Sequence, residues 1–191
     1  NLPGRHNVQN ACAAAAIALE IGIAPHVIVA GLAHFGGVGR RFAIHKDLQL
    51  SQGSVMFVDD YGHHPRELRA VIEAARGGWP QRRLVLAFQP HRYTRTRDLL
   101  DDFAEVLGLA DVVVLTEVYA AGEEPIAGAT AEALVQKVRA TGHAATQYIA
   151  RRSDVADAVR LQLAAGDLVI TLGAGDVWLC GDELLRHLAA T

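Results

Sequence analysis

The segment VMFVDDYGHHP, residues 55–65, carries four apolar residues straight into Asp59, Asp60, Tyr61, His63 and His64 before Pro65. Carboxylates and imidazoles gathered at one strand end can serve three chemistries. They are ligands for zinc or manganese. An acidic residue there can bind sugar hydroxyls, as in dinucleotide-binding folds. They can also simply satisfy loop N–H groups. A metal cage suits the spacing least, because His63 and His64 are consecutive and diverge if a helix starts near Pro65. No metal ligand is assigned. Asp60 on a sugar, His63 on a ligand and His64 at the helix cap account for more of the cluster.

A second cluster, QPHRYTRTRD, sets His91, Arg92, Arg95 and Arg97 after another apolar run, near an expected helix start. Arginine captures carboxylate or phosphate through two parallel hydrogen bonds, and helix N-termini favour anions. A small carboxylate ligand follows, with Arg97 explained equally well as solvated surface. Asn7 and Asn10, three apart in PGRHNVQN, share one face of a helix. An asparagine amide can pair with the adenine edge, although Asn7 alone could be a helix cap. Gly173-Ala174-Gly175 follows a strand and precedes a helix, where a tight turn is the simplest role and an anion contact the other. No GxxxxGK[ST] phosphate loop occurs, and the two lysines are Lys46 and Lys137.

These groups need a scaffold, and the hydrophobic pattern supplies one. Helices are expected over 7–21 and 24–35, the second ending at Gly36-Gly37. Alternation through Leu48 and Leu50, a turn at Gln52-Gly53 and the run 55–58 suit strands. Thereafter strands (84–88, 112–116, 147–149, 168–172) alternate with helices (66–76, 96–107, 131–140, 153–164, 177–188). Such order predicts an α/β fold, a mostly parallel sheet covered by helices on both faces. Ligands of open parallel sheets sit outside the carboxyl ends of the strands. The segments that fall there are DDYGHHP, QPHRYTRTR, EVYAAGEEP and GAGD.

Bulk properties narrow the class. The chain has 191 residues, 51% of them hydrophobic, which is enough for one principal globular domain. Its net charge of -3, with nine histidines, gives no basic field for nucleic acid or an anionic membrane. No apolar run reaches membrane-spanning length. Cys12 and Cys180 have no metal-type spacing and fit a reducing, cytoplasmic compartment. Cys12 is expected in the core. The start at Asn1, with a helix directly after Pro3-Gly4, suggests a piece of a longer polypeptide.

PGRHNVQNA, FGGVGRRF, DDYGHHP, FQPHRYTRTRDL, VYAAGEEPI and GAGD follow one another along nearly the whole chain. In that order they resemble the Mur ligase family of peptidoglycan synthesis, and within it the branch that joins L-alanine to UDP-N-acetylmuramate using ATP. Murein peptide ligases are similar through the first helix. Tyr61, Gly62 and the run from His91 to Thr96 favour the alanine-adding branch. The resemblance implies a Rossmann-like carboxyl-terminal ligase domain over 37–191. Residues 1–36 would be the last helices of a central ATP-binding domain, with a hinge near 36–41. It implies adenine contacts at Asn7 and Asn10, ribose binding at Asp60, and Tyr61 with His63 at the junction of nucleotide and amino acid. Arg41 matches a phosphate-facing arginine, and His91, Arg92 and Arg95 match positions for the incoming amino acid. Gly122 and Glu123 belong to a family motif to which no role is attached. The implied reaction passes through an acyl phosphate with Mg2+, whose ligands and phosphate loop belong to a central domain that this sequence does not include. The fragment alone is expected to be inactive. Two other readings stay open: a non-catalytic nucleotide-binding module and a metal-dependent hydrolase built on DDYGHHP. Oligomeric state and the base for the alanine amine are not legible.

Overall fold

A computed structural model describes residues 2–45, 47–50 and 53–189. Two helices come first, α1 (Arg5–Glu20) and α2 (Pro25–His34). Alanine-rich sequence favours helix through low side-chain entropy cost, and neither helix has a buried residue. Val8, Ile17, Ile21 and Val29 are all more than half exposed. Cys12, expected in the core, is exposed because α1 has little to pack against.

The chain then turns through Gly37 (φ 93°), Arg40 (φ 56°) and Phe42 (φ 47°). Phe42 is buried and stacks on Trp79, centroids 6.0 Å apart. That anchor outweighs the left-handed backbone, which costs a non-glycine residue about 1–3 kcal/mol.

The sheet comprises β1 (Ala43–Ile44), β2 (Leu48–Leu50), β3 (Gly53–Asp60), β4 (Leu84–Phe88), β5 (Val112–Thr116), β6 (Thr146–Ile149) and β7 (Leu168–Leu172). Its order is β1-β3-β7-β4-β5-β6, with β2 also on β3. β1 and β2 run antiparallel along β3, in register at Ala43–Asp59 and Leu48–Val55. The remaining pairs are parallel. The expected turn at Gln52-Gly53 lies partly outside the described residues, as does Lys46.

Full burial on both faces explains why β4, β5 and β7 read as unbroken apolar runs. One face packs on α3 (Pro65–Gly78), α5 (Leu100–Leu107) and α6 (Ala131–Ala140) through Leu68, Ile72, Phe103 and Leu134. The other packs on α7 (Val155–Arg160) and α8 (Leu179–Ala189) through Val155, Val159, Cys180 and Leu184. Two expected helices differ. The one over 96–107 is two, α4 (Tyr93–Asp98) and α5, broken at Leu99. That over 153–164 is a 3-10 turn (Arg152–Asp154) followed by α7.

The last strand sits in the middle. β7 lies between β3 and β4, and the helix after it covers the face opposite to α3. Connections therefore leave neighbouring strands toward opposite faces at β3/β7 and at β7/β4, the topological condition for a crevice at the carboxyl edge.

Candidate active site

Asp59 and Asp60 end β3, and both are nearly fully buried. Asp59 accepts from Thr171 Oγ1 (2.6 Å) and pairs with Arg40 Nε (2.9 Å), whose guanidinium also donates to the Gly173 carbonyl (2.6 Å). Arg40 thus ties the turn before β1 to the ends of β3 and β7. It lies between the rings of Tyr61 (5.3 Å) and Trp178 (5.8 Å), at cation–π distance.

Asp60 accepts from the Phe42 N–H (2.7 Å) and the Gly62 N–H (2.6 Å). Burial raises its pKa above the usual carboxylate value, opposed by those two bonds and by the Arg41 charge. The reading of these aspartates as acceptors of loop N–H groups is therefore realised in Asp60, whereas Asp59 is held by two side chains, Thr171 and Arg40. A carboxylate has about four acceptor sites, so Asp60 keeps capacity for a hydroxyl. It also lines a cleft.

That cleft, about 900 Å3, opens between α1, the turn at 38–42 and α3. Asn7, Asn10, Arg41, Asp60 and Glu67 contribute to its wall, and its size falls within the range of small-ligand sites. Asn7 is not a cap, because α1 begins at Arg5 behind Gly4. Its Nδ2 donates to the Pro3 carbonyl (2.7 Å). Asn10 is exposed on the same face. Arg41, half exposed, lies 4.0 Å from Glu67 and 5.6 Å from the Tyr61 ring centroid.

His63 and His64 diverge as their spacing predicts. His64 caps α3, its Nδ1 accepting from the Arg66 N–H (3.3 Å). Glu67 answers from the first turn, accepting the N–H groups of His63 (2.9 Å) and His64 (3.1 Å), a reciprocal capping box. Burial would raise the Glu67 pKa, but those bonds and the His63 and Arg41 charges bring it below the ordinary value. His63 Nδ1 faces the Tyr61 carbonyl (3.1 Å) and stands 3.6 Å from Glu67. Among the described residues no group of three or more His, Cys, Asp or Glu is arranged to hold a metal.

A row of rings crosses the edge. Tyr61 meets His63 edge-on (5.3 Å), His63 meets His91 (5.3 Å), and His91 stacks on Tyr119 (5.5 Å, 10°). The segments after β4 and β5 are also joined by backbone, Arg92 N–H to Tyr119 O (2.9 Å) and Tyr119 N–H to Pro90 O (2.8 Å). Gly175 makes room for this contact, since a Cβ there would overlap Gln89 Oε1 and stand 2.7 Å from the Tyr119 ring. Burial lowers the His91 pKa, with His63, Arg95 and Arg92 adding to the effect, so the imidazole is neutral near pH 7.

The arginines are held by internal partners. Arg92, at φ 74°, precedes α4 and points toward Glu123 (3.8 Å), while Arg95 donates to the His91 carbonyl (3.1 Å). A helix of only six residues adds little dipole, so anion attraction here must come from the side chains. Arg97 is on the surface, paired with Asp98 (2.7 Å). Of the residues singled out from sequence, Asn7, Asn10, Arg41 and Asp60 share the cleft, whereas Tyr61, His63, His91, Arg92 and Arg95 continue along the edge beside it. Arg40, Glu67, Gln89 and Tyr119 escaped notice. His64-x-x-Glu67 has capping-box spacing and could have been read, whereas Arg40 gave no signal.

An α/β sheet with a cleft and a basic strap at its carboxyl edge is the architecture of a ligand-binding or catalytic domain. Residues 40–175 match the family described as Mur ligase, glutamate ligase domain, and the chain belongs to that family. Among solved structures it is similar over its whole length to the UDP-N-acetylmuramate–alanine ligase of Thermotoga maritima, with 26% identity, TM-score 0.81 and 39% of that chain covered. It shares its fold with a murein peptide ligase of Psychrobacter arcticus, 23% identical, TM-score 0.69, matching 100% of this chain and 38% of that one. The fold recurs in the Mycobacterium tuberculosis folylpolyglutamate synthase crystallised with ADP and AMPPCP, 17% identical, TM-score 0.64, covering 96% and 40%. The chain thus spans about two fifths of the length of these structures.

Proposed function

We propose that the chain is the carboxyl-terminal part of an ATP-dependent, cytoplasmic ligase that joins L-alanine to UDP-N-acetylmuramate in peptidoglycan synthesis, through an acyl phosphate. The observation that carries this reading is the pairing of two adjoining sites. A cleft with an asparagine face and a buried aspartate suits adenosine, and a strap with two arginines and a neutral imidazole suits a small amino acid. Asn7 and Asn10 would face the adenine and Asp60 the ribose. Arg41, close to Tyr61 and Glu67, would face the phosphates. His63, ring to ring with both Tyr61 and His91, would sit where the two ligands meet. His91, Arg92 and Arg95 would receive the alanine carboxylate once Arg92 turns from Glu123. Residues 1–36 would be the end of the preceding ATP-binding domain, and Mg2+ would be held mainly outside this chain.

The alternative of a murein peptide ligase has the same family and fold behind it. The run from His91 to Thr96 favours the alanine-adding reaction. The hydrolase reading loses ground because His64 and Glu67 are spent on capping α3. The test is phosphate release by the parent polypeptide with ATP, Mg2+ and UDP-N-acetylmuramate, comparing L-alanine with a preformed muropeptide tripeptide. L-alanine dependence is expected. Arg92→Ala and Arg95→Ala should each weaken apparent alanine affinity roughly 10- to 150-fold, the worth of one charge-assisted hydrogen bond, with ATP affinity little changed. Stimulation by the tripeptide alone would reassign the substrate.

A further inference from the structure

The strap taken alone would accept any small anion, because Arg92, Arg95 and His91 supply only positive charge and donors. The loop after β5 corrects this. Ala121 (φ 50°) and Gly122 (φ 85°) reverse the chain, with the Glu123 N–H bonded to the Ala120 carbonyl (3.0 Å). The reversal carries the Glu123 carboxylate back to the strap. Thr94 fixes it there by two bonds, from its N–H (3.0 Å) and its Oγ1 (2.7 Å). The side chain is only 20% exposed and its Oε1 stands 3.8 Å from Arg92 Nη1. Two bonds from one residue orient that carboxylate along the strap. They leave a negative point beside the arginines.

We propose that Glu123 determines specificity at the strap, selecting a zwitterionic amino acid over a simple carboxylate or a dicarboxylic amino acid. The inference rests on the amino-acid site proposed above. A ligand carboxylate turned toward Arg92 and Arg95 places its own α-ammonium within reach of the Glu123 charge. Propionate, the same molecule without the amine, finds the attraction of the arginines reduced and nothing in return. L-aspartate brings a second carboxylate into a site that already holds one. Glu123 is the counter-charge that makes the strap read both ends of its ligand.

The test is NMR titration of the 191-residue chain with L-alanine, propionate and L-aspartate, following the His91 ring and the Thr94 amide. Wild type should prefer L-alanine to propionate by about fivefold, the scale of one partly exposed ion pair. In Glu123→Gln, which keeps an acceptor for Thr94 and removes the charge, that preference should vanish and aspartate should gain. Thr94→Val removes one tether and keeps the charge, so the preference should persist. Glu123→Gln retaining the wild-type ratio would overturn the inference and leave the amino-acid site standing. Equal losses in Glu123→Gln and Thr94→Val would also overturn it, since Glu123 would then act by shaping the loop. Failure of all three ligands to shift wild-type resonances would remove the amino-acid site and this inference together.

Discussion

Gly175→Ala tests whether the scaffold of β7 and the ligand edge are one unit. The φ of Gly175 is not left-handed, so alanine meets no backbone obstacle. What it meets is matter: a Cβ would overlap Gln89 Oε1 and lie 2.7–2.8 Å from Tyr119 ring atoms. Gln89 is tied on both ends of its amide, accepting from the Val177 N–H (3.1 Å) and donating to Asp176 (2.9 Å), so it cannot retreat without breaking a bond. Tyr119 is partly exposed and will yield, drawing away from His91. Overpacking of this kind costs about 1–3 kcal/mol. For a chain of this length each kcal/mol lowers Tm by about 2–4 °C, so a fall of about 2–12 °C is expected, together with a changed His91 ring shift. Gly36→Ala is the control, since nothing lies within 4 Å of its Cβ and its φ is not left-handed. It should be neutral or raise stability by up to about 1 kcal/mol. Thermal melts by circular dichroism and histidine NMR read both quantities. A Gly175→Ala protein with wild-type Tm and an unmoved His91 resonance would refute the coupling.

His91 should titrate below 6.5, its ordinary value, because burial and the positive charges around it disfavour the imidazolium. Such a group contributes stability that is full above pH 6.5 and is lost as pH falls through the folded pKa; urea melts across that window should show a slope that His91→Gln removes, and an unchanged slope would count against the burial argument. Asp60→Ala should destabilise the chain by about 1–3 kcal/mol for each of the Phe42 and Gly62 N–H groups left without a partner, measured by urea denaturation at pH 7. A fully stable Asp60→Ala protein would mean that water replaces the carboxylate at both donors.

The sheet was legible because β4, β5 and β7 are short apolar runs between turn residues, a pattern only a strand buried on both faces explains. Their order was not legible. Nothing in Leu168–Leu172 distinguishes a strand inserted between β3 and β4 from one added beyond β6, since that choice depends on which face α7 crosses. The break between α4 and α5 was missed because Leu99 is a good helix former; the chain bends there while Thr96 Oγ1 bonds back to the Arg92 carbonyl (2.9 Å). In the site, residue type and position at strand ends pointed to His63, His91, Arg92 and Arg95, and the strand-end rule brought them to one edge. Their pairing was invisible. Glu123 and Arg92 are thirty-one residues apart in sequence, and only the left-handed pair Ala121-Gly122 brings them within 3.8 Å.

Asp60 shows why a site residue and a scaffold residue need not be different things. Its carboxylate closes the gap between the turn at Phe42 and the loop at Gly62, and the same group lines the cleft. A ligand hydroxyl donating to it would add a third bond to a carboxylate already oriented by two, at little reorganisation cost. Burial works against that ionised carboxylate, and each donor it gains favours the charged form further. Nucleotide binding at Asp60 would therefore release a proton wherever the free site is partly protonated, and would tighten the turn that connects α1 and α2 to the sheet. Arg40, pinned to Asp59 and to the Gly173 carbonyl, holds the other end of that turn. The turn that follows α2 is thus fastened to the sheet at two successive points, Arg40 and Phe42, one through Asp59 and the other through Asp60.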